Sequence, residues 1–269
     1  MAEKATYTHG HHASVLRSHG QRTALNSARF LLTHLQPHMK ILDIGCGPGT
    51  ITVDLATYVP QGHVTGLEMA GDILPAARQL AASRGLTNID FVAGDANALP
   101  YADESFDVVF CHQVLQHVAD PTAILAEMRR VCKIGGIVAA READYAAFMW
   151  YPELPGLKRW QELYDRVARR NGGEPNAGRY LHVWARRAGF EEVDCAVSSW
   201  CFARPEEVSW WSETWRERAV KSAFAKGALE HGFATERELE SISDVWKEWG
   251  EDRDAWISIP SAEVVCRRV

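Results

Sequence analysis

The sequence predicts an α/β fold: a doubly wound, mostly parallel seven-stranded sheet, with N-terminal helices ahead of it and a helical insertion between its last two strands. Three observations carry this expectation. Between residues 40 and 140, short apolar runs alternate with segments of helical period, the rhythm of βαβ units whose helices cover both faces of a sheet. The first run passes directly into a glycine-rich turn, Gly45-Cys46-Gly47-Pro48-Gly49. The last two strand-like runs, 191–202 and 262–269, are held apart by a long stretch of helical pattern.

Residues 14–35 place Val15, Leu25, Ala28, Leu32 and Leu35 at helical spacings, so helices lead into the first strand. The apolar runs at 40–44, 63–67, 89–93, 106–111 and 136–140 read as strands, with helices over about 50–58, 72–84 and 121–132 between them. Beyond residue 145 the pattern turns helical over 156–170 and 176–188, and Gly189 supplies a left-handed C-terminal cap. Inside the insertion, Thr235 with Glu238 makes a capping box, and Leu239, Ile242, Trp246 and Trp249 follow at spacings of 3, 4 and 3. The expected division is an N-terminal helical lid (1–38), a sheet core (39–203), a substrate-covering insertion (204–257) and the last strand (258–269).

Composition excludes several classes of function. Lys and Arg total 29 against 35 for Asp and Glu, a net charge of -6, which argues against a surface that neutralises phosphates and so against nucleic acid as a partner. The six cysteines are scattered without a CxxC pair, as in a reduced compartment. No apolar run approaches the roughly 18 residues of a membrane span, and the first residues lack the apolar stretch of a secretion signal. A cytoplasmic protein, monomeric or homodimeric and without a membrane partner, is expected.

The glycine loop is the strongest functional signal. Its spacing is GxGxG, not the GxGxxG of dinucleotide sites, and Asp43 stands two residues before the first glycine. A carboxylate there repels a pyrophosphate and suits a cationic ligand. Glu68 follows Gly49 by 19 residues, near the spacing of a ribose-binding acid, and Asp43, Glu68, Asp95 and His112 all fall at strand ends, where open α/β sheets bind their ligands.

LDIGCGPG, VTGLEMA, GDANALPYADESFDVV, FDVVFCHQVLQHVADP and the later RVCKIGG occur in that order. As a set they resemble the motifs of class I S-adenosylmethionine-dependent methyltransferases, Rossmann-like enzymes, and are similar to the branch containing the ubiquinone and menaquinone biosynthesis methyltransferases and many small-molecule methyltransferases. The resemblance spans about residues 35–145. It implies S-adenosylmethionine as cofactor, wrapped by Gly45, Cys46 and Gly47, with Asp43 near its amino group. It also implies Glu68 on the ribose hydroxyls beside Met69, Asp95 and the Ala96 amide at the adenine, and His112 and Gln113 along the methionine moiety. Ile134 stands where the family usually has proline, and CHQVLQHV differs from the ubiquinone-type enzymes, so their quinone substrate does not carry over.

On the acceptor side, His117 and Glu142 are expected as catalytic candidates together with His12. Tyr7, His11, Arg141, Asp144, Trp211 and Trp215 are expected near the substrate. The TyrThrHisGlyHisHis segment at 7–12 lacks a helical ligand spacing, so a polar lid over the cofactor or an exposed terminus is favoured over a metal site, and no metal is expected. Arg141, Ala143 and Tyr145 alternate with Glu142 and Asp144 along the fifth strand, and which set meets the crevice stays open, as does a salt-bridged structural role for the charged ones. Seven of the ten tryptophans lie at or after residue 200. Trp246 and Trp249 read as core, whereas the adjacent Trp210 and Trp211 cannot both face one core, so one of them lines a pocket for a flat or apolar acceptor. The expected function is methyl transfer to a small organic acceptor at O, N, S or C. The alternative is a non-catalytic S-adenosylmethionine-binding regulator. No (N/D)PP(Y/F) motif follows the fourth strand, which disfavours nucleic-acid methylation.

Overall fold

The computed structural model describes Thr8 and residues 19–269. Two short helices, α1 (Ala24–Ser27) and α2 (Arg29–Leu32), precede the sheet. Thr23 opens α1 as its N-cap, accepting from the Asn26 N–H at 3.1 Å. The repeating half follows as β1 (Lys40–Ile44), α3 (Thr50–Tyr58), β2 (His63–Glu68), α4 (Leu74–Ser83), β3 (Ile89–Ala93), β4 (Phe106–His112), α5 (Pro121–Val131) and β5 (Cys132–Ala143). Asp120 caps α5, accepting from the Ala123 N–H at 2.9 Å with Pro121 at the first helical position.

β1 pairs in parallel with β2 and β4, β2 with β3, and β4 with β5. The order β3-β2-β1-β4-β5 therefore reverses direction of growth between β1 and β4, which opens a crevice at the carboxyl ends of those strands. Alternate residues divide between two layers of core. Leu42, Ile44, Val109 and Cys111 pack on one face against α5, while Ile41, Val108 and Phe110 pack on the other against α1 to α3.

The C-terminal half adds a three-residue strand β6 (Met149–Tyr151), helices α6 (Pro155–Arg170) and α7 (Gly178–Arg187), and β7 (Glu192–Phe202). After it come α8 (Pro205–Lys221), α9 (Ala223–Glu230), α10 (Glu236–Glu251) and β8 (Trp256–Arg267). β8 lies antiparallel between β5 and β7, and its first residues pair with β6. The sheet thus has eight strands, where seven were expected. β6 escaped notice because Met149-Trp150-Tyr151 is too short for an alternating pattern and is strand only by virtue of its partner on β8.

The insertion is helical, as the sequence implies, and shares one core with α6 and the end of the sheet it covers. Trp160 of α6 meets Trp215 of α8 and Trp246 of α10 edge-on, with ring centroids 4.5 and 4.9 Å away. Leu239, Ile242, Trp246 and Trp249 form the buried stripe of α10. The Thr235–Glu238 capping box is formed in both directions, at 3.2 and 3.0 Å. No helix of the described residues is long and apolar enough to cross a membrane.

Candidate functional site

A cavity of about 280 Å³ occupies the crevice at the ends of β1 to β4. The turn after β1 forms one wall. Gly45 has φ +68°, and a Cβ there would stand 2.4 Å from Val114 Cγ2, so only glycine fits. Gly47, at φ +54°, aims its absent side chain into the cavity, where a Cβ would find only His19 Nδ1, 3.9 Å away. The loop is tied to β2: the Gly45 and Cys46 N–H groups both donate to Leu67 O, at 2.7 and 3.1 Å.

Three carboxylates line this cavity. Asp43 is 3% exposed and accepts the Thr52 hydroxyl at 2.6 Å. Burial raises its pKa to about 7; the Thr52 bond opposes the rise and the neighbouring charge of Glu68 adds to it. Glu68 is gripped by backbone, its two oxygens accepting from the Gly47 and Ala70 N–H groups at 3.0 Å each. Asp95 accepts from the Asn97 N–H at 3.0 Å and its side-chain amide at 2.7 Å. Met69 and Ala96, each next to one of these acids in sequence, also line the space.

The fourth wall comes from the end of β4. His112 is buried, and its Nε2 lies 3.0 Å from Arg141 Nη1. A guanidinium only donates, so Nε2 accepts and the ring proton resides on Nδ1. Burial first, then the charges of Arg22 and Arg141, hold the His112 pKa well below its ordinary value, which keeps the ring neutral. His117 also lines the cavity, and burial with the Arg22 charge lowers its pKa to about 3. Gln113, the residue after His112, has φ +53°, uncommon for a residue with a side chain. It is pinned at both ends: its N–H donates to Arg141 O at 2.8 Å and its Oε1 accepts from Arg22 Nη2 at 2.6 Å.

A second, smaller chamber of about 70 Å³ adjoins the first, and His19, Arg22 and Gln113 line both. Its walls are aromatic: Tyr145 and Phe148 beyond β5, Trp200 and Phe202 of β7, and Trp210 and Trp211 of α8. Both members of the tryptophan pair reach it, with ring centroids 5.7 Å apart. Trp200 fixes one wall, its Nε1 donating to Asn26 O at 2.7 Å while Arg141 lies 4.8 Å from its ring centroid.

The residues expected around the cofactor, Asp43, Gly45, Cys46, Gly47, Glu68, Met69, Asp95, Ala96, His112 and Gln113, all face the larger cavity. Of the acceptor-side candidates, Arg141, Glu142, Asp144 and Trp215 line neither cavity. Glu142, expected as catalytic, is fully buried and accepts the N–H groups of Val114, Leu115 and Gln116 at 2.9, 2.8 and 3.2 Å, so it anchors the turn after β4. Asp144 turns away to Arg179, accepting Nη2 at 2.6 Å and Nε at 2.7 Å. Arg141 lies beneath the site, donating through Nε to Ser198 Oγ at 3.0 Å and Glu263 Oε1 at 3.2 Å. Trp215 is fully buried in the core that the insertion shares with α6, whereas Trp211 lines the aromatic chamber. Tyr7, His11 and His12 lie outside the described residues. Sequence reasoning passed over His19 and Arg22, which stand in the polar SHGQRT stretch before α1; its only local signal is the capping Thr23.

The donor set fits the cofactor that the motifs imply. Asp43 at the floor suits an ammonium group, Glu68 is immobilised with lone pairs left for hydroxyl donors, and the Gly47 cradle leaves room that any Cβ would fill. Among the described residues no group of three or more His, Cys, Asp or Glu side chains is placed to hold a metal ion.

Comparison with known proteins agrees. Residues 35–189 match the methyltransferase-domain family. An uncharacterized methyltransferase of Schizosaccharomyces pombe is 33% identical over 97% of this chain and 96% of its own. A probable methyltransferase of Aspergillus luteorubrus is 31% identical over 93% of both. In structure the fold resembles a phosphoethanolamine N-methyltransferase of Haemonchus contortus, solved with phosphomonomethylethanolamine and S-adenosylhomocysteine (TM-score 0.55, 16% identity, 87% of this chain and 50% of that one). By its motifs, its sheet and its relatives, the chain belongs to the class I S-adenosylmethionine-dependent methyltransferases.

Proposed function

We propose that this methyltransferase acts on a small, planar organic acceptor seated in the aromatic chamber. The observation that carries the reading is the junction of the two cavities at His19, Arg22 and Gln113. A chamber walled by Trp, Tyr and Phe rings favours a flat ligand, which it contacts over both faces at low cost in ordering. S-adenosylmethionine supplies a methyl group on a sulfonium, which a nucleophile takes in line as sulfur leaves as a neutral thioether.

Because such a leaving group needs no acid, the chain contributes chiefly alignment and exclusion of water. The buried Arg141–His112 pair and the Glu142 anchor fix the end of β4, where the cavities meet, and Trp200 stacked on Arg141 fixes the opposite wall. His117 faces the cavity as a neutral ring whose Nε2 accepts from Gln116 Nε2 at 3.0 Å, so its proton resides on Nδ1 and it supports the reading as a donor that orients the acceptor molecule.

The test is calorimetric titration with S-adenosylmethionine and S-adenosylhomocysteine, with NAD as control. A mass-spectrometric screen then looks for methyl gain over planar and non-planar acceptors. Saturable binding of both adenosyl ligands, with methyl gain confined to planar acceptors, is the expected result. Methyl gain only on flexible aliphatic acceptors overturns it.

A further inference from the structure

Asp43, Glu68 and Asp95 make the larger cavity acidic, yet the cofactor carries an α-carboxylate as well as an ammonium on one carbon. Among the described residues lining that cavity the only permanent cation is Arg22. It reaches the site from outside the sheet, from the segment before α1, and is held there at three points. Its N–H donates to His19 O at 3.1 Å, its Nη2 donates to Gln113 Oε1 at 2.6 Å, and its guanidinium lies 5.7 Å from the Trp200 ring centroid. The cation at the junction and the acid at the end of β1 line one cavity, and the two together present the charge pattern of a zwitterion's partner.

We propose that Arg22, steadied by Gln113, binds the α-carboxylate of the cofactor's methionine moiety, while Asp43 takes the ammonium on the same carbon. The inference rests on the methyltransferase reading and adds to it a residue outside the sequence motifs. A guanidinium offers the planar fork of donors that matches a carboxylate, which an ammonium side chain does not. Its charge pervades the site, since it contributes to the displaced titration of His112, His117, Glu142 and Tyr145. The left-handed backbone of Gln113 fits this role, because it turns the amide oxygen of a residue at the end of β4 toward the N-terminal segment. The arrangement also makes the acceptor chamber depend on the cofactor: the side chain that would hold the carboxylate is one that lines both spaces.

The test compares adenosyl ligands that differ at the amino-acid end, with each comparison of carboxylated and decarboxylated forms made between the two sulfonium compounds. S-adenosylhomocysteine carries the carboxylate, decarboxylated S-adenosylmethionine keeps the amine but lacks it, and 5′-methylthioadenosine lacks both. Arg22→Gln should weaken S-adenosylhomocysteine by roughly 10- to 100-fold, the range of one charge-assisted hydrogen-bonded contact, and leave 5′-methylthioadenosine within about 3-fold, inside context-dependent scatter. Gln113→Ala should give a smaller loss of the same selectivity. Unmutated protein should bind decarboxylated S-adenosylmethionine about 10-fold or more weaker than S-adenosylmethionine itself, a measurement that does not depend on any variant folding. Equal affinity of the unmutated protein for the carboxylated and decarboxylated cofactors overturns the proposal. So does equal weakening of all three ligands by Arg22→Gln. Binding of no adenosyl ligand by the unmutated protein removes the methyltransferase reading itself.

Discussion

The Glu142 carboxylate accepts the backbone N–H of Leu115 at 2.8 Å, and its two oxygens also take the adjoining N–H groups of Val114 and Gln116. One side chain thereby satisfies the orphan donors of the turn that carries Gln113 and His117. Glu142→Ala is expected to destabilise the protein by about 3–5 kcal/mol, because it leaves buried donors unpaired. Glu142→Gln should lose less, since its amide oxygen still accepts. Urea unfolding of both variants checks the order; a stable Ala variant that has lost turnover would return Glu142 to a catalytic role.

Asp43 links cofactor binding to pH. Its pKa stands at about 7 in the folded chain, against 3.8 as the ordinary value. A carboxylate raised on folding contributes stability that is full below the ordinary value and is lost as pH rises through 7. Without cofactor, Asp43→Asn should therefore reduce the fall in stability between pH 4 and pH 8 by about 2–4 kcal/mol. An ammonium beside Asp43 pulls its pKa down again, so the cofactor should bind more tightly as pH rises from 5 to 7, with proton release near pH 6. Titration in buffers of different ionisation enthalpy reads that proton directly, and its absence removes Asp43 from the ammonium site.

Glu68 and Asp95 line the same cavity, with their geometry set by backbone and by Asn97. Glu68→Ala and Asp95→Ala are each expected to weaken S-adenosylhomocysteine by about 1.5–3 kcal/mol, the range of a hydrogen bond to a charged group. Glu68→Ala should also loosen the glycine loop, since Gly47 and Ala70 lose their acceptor. Calorimetry gives the affinities, and near-unchanged values for both variants place the adenosine elsewhere.

Trp211 and Trp215 lie four residues apart on α8 but serve different ends. Trp215 is fully buried, stacked on Trp246 and edge-on to Trp160 and Phe224, so Trp215→Ala should cost about 3–5 kcal/mol of stability. Trp211→Ala opens a wall of the aromatic chamber and should leave cofactor affinity within about 2-fold, the additivity expected of sites without shared partners. Trp211 also packs in that cluster, its ring centroid 6.2 Å from that of Trp215, so thermal denaturation should show a smaller loss for Trp211→Ala than for Trp215→Ala, and a changed cofactor affinity in Trp211→Ala overturns its assignment to the acceptor side alone.

The sheet was legible because its strands announce themselves locally. KILDI passing into a glycine turn, and Thr235 placed before Glu238, need no partner to be recognised. The cofactor side was legible for the same reason, since Asp43, Glu68 and Asp95 each end a strand and sequence order alone brings strand ends together. The acceptor side was not. Glu142 and Asp144 share one face by alternation, but their roles depend on partners at 114–116 and 179, which the pattern of β5 does not encode. Arg22 was missed because the segment before α1 has no periodicity, and its significance lies in a contact with a residue 91 positions away.

β8 is hydrogen-bonded to β5 along one edge, from Ser261 to Arg267, and to β7 along the other, from Ile257 to Arg267. During synthesis every other strand of the sheet emerges first, so β1–β5, β6 and β7 are three unjoined parts until these residues arrive. A nonsense or frameshift lesion upstream of Trp256 would strand two long strand edges in water, and its product would be a substrate for aggregation and proteolysis rather than a weakened enzyme.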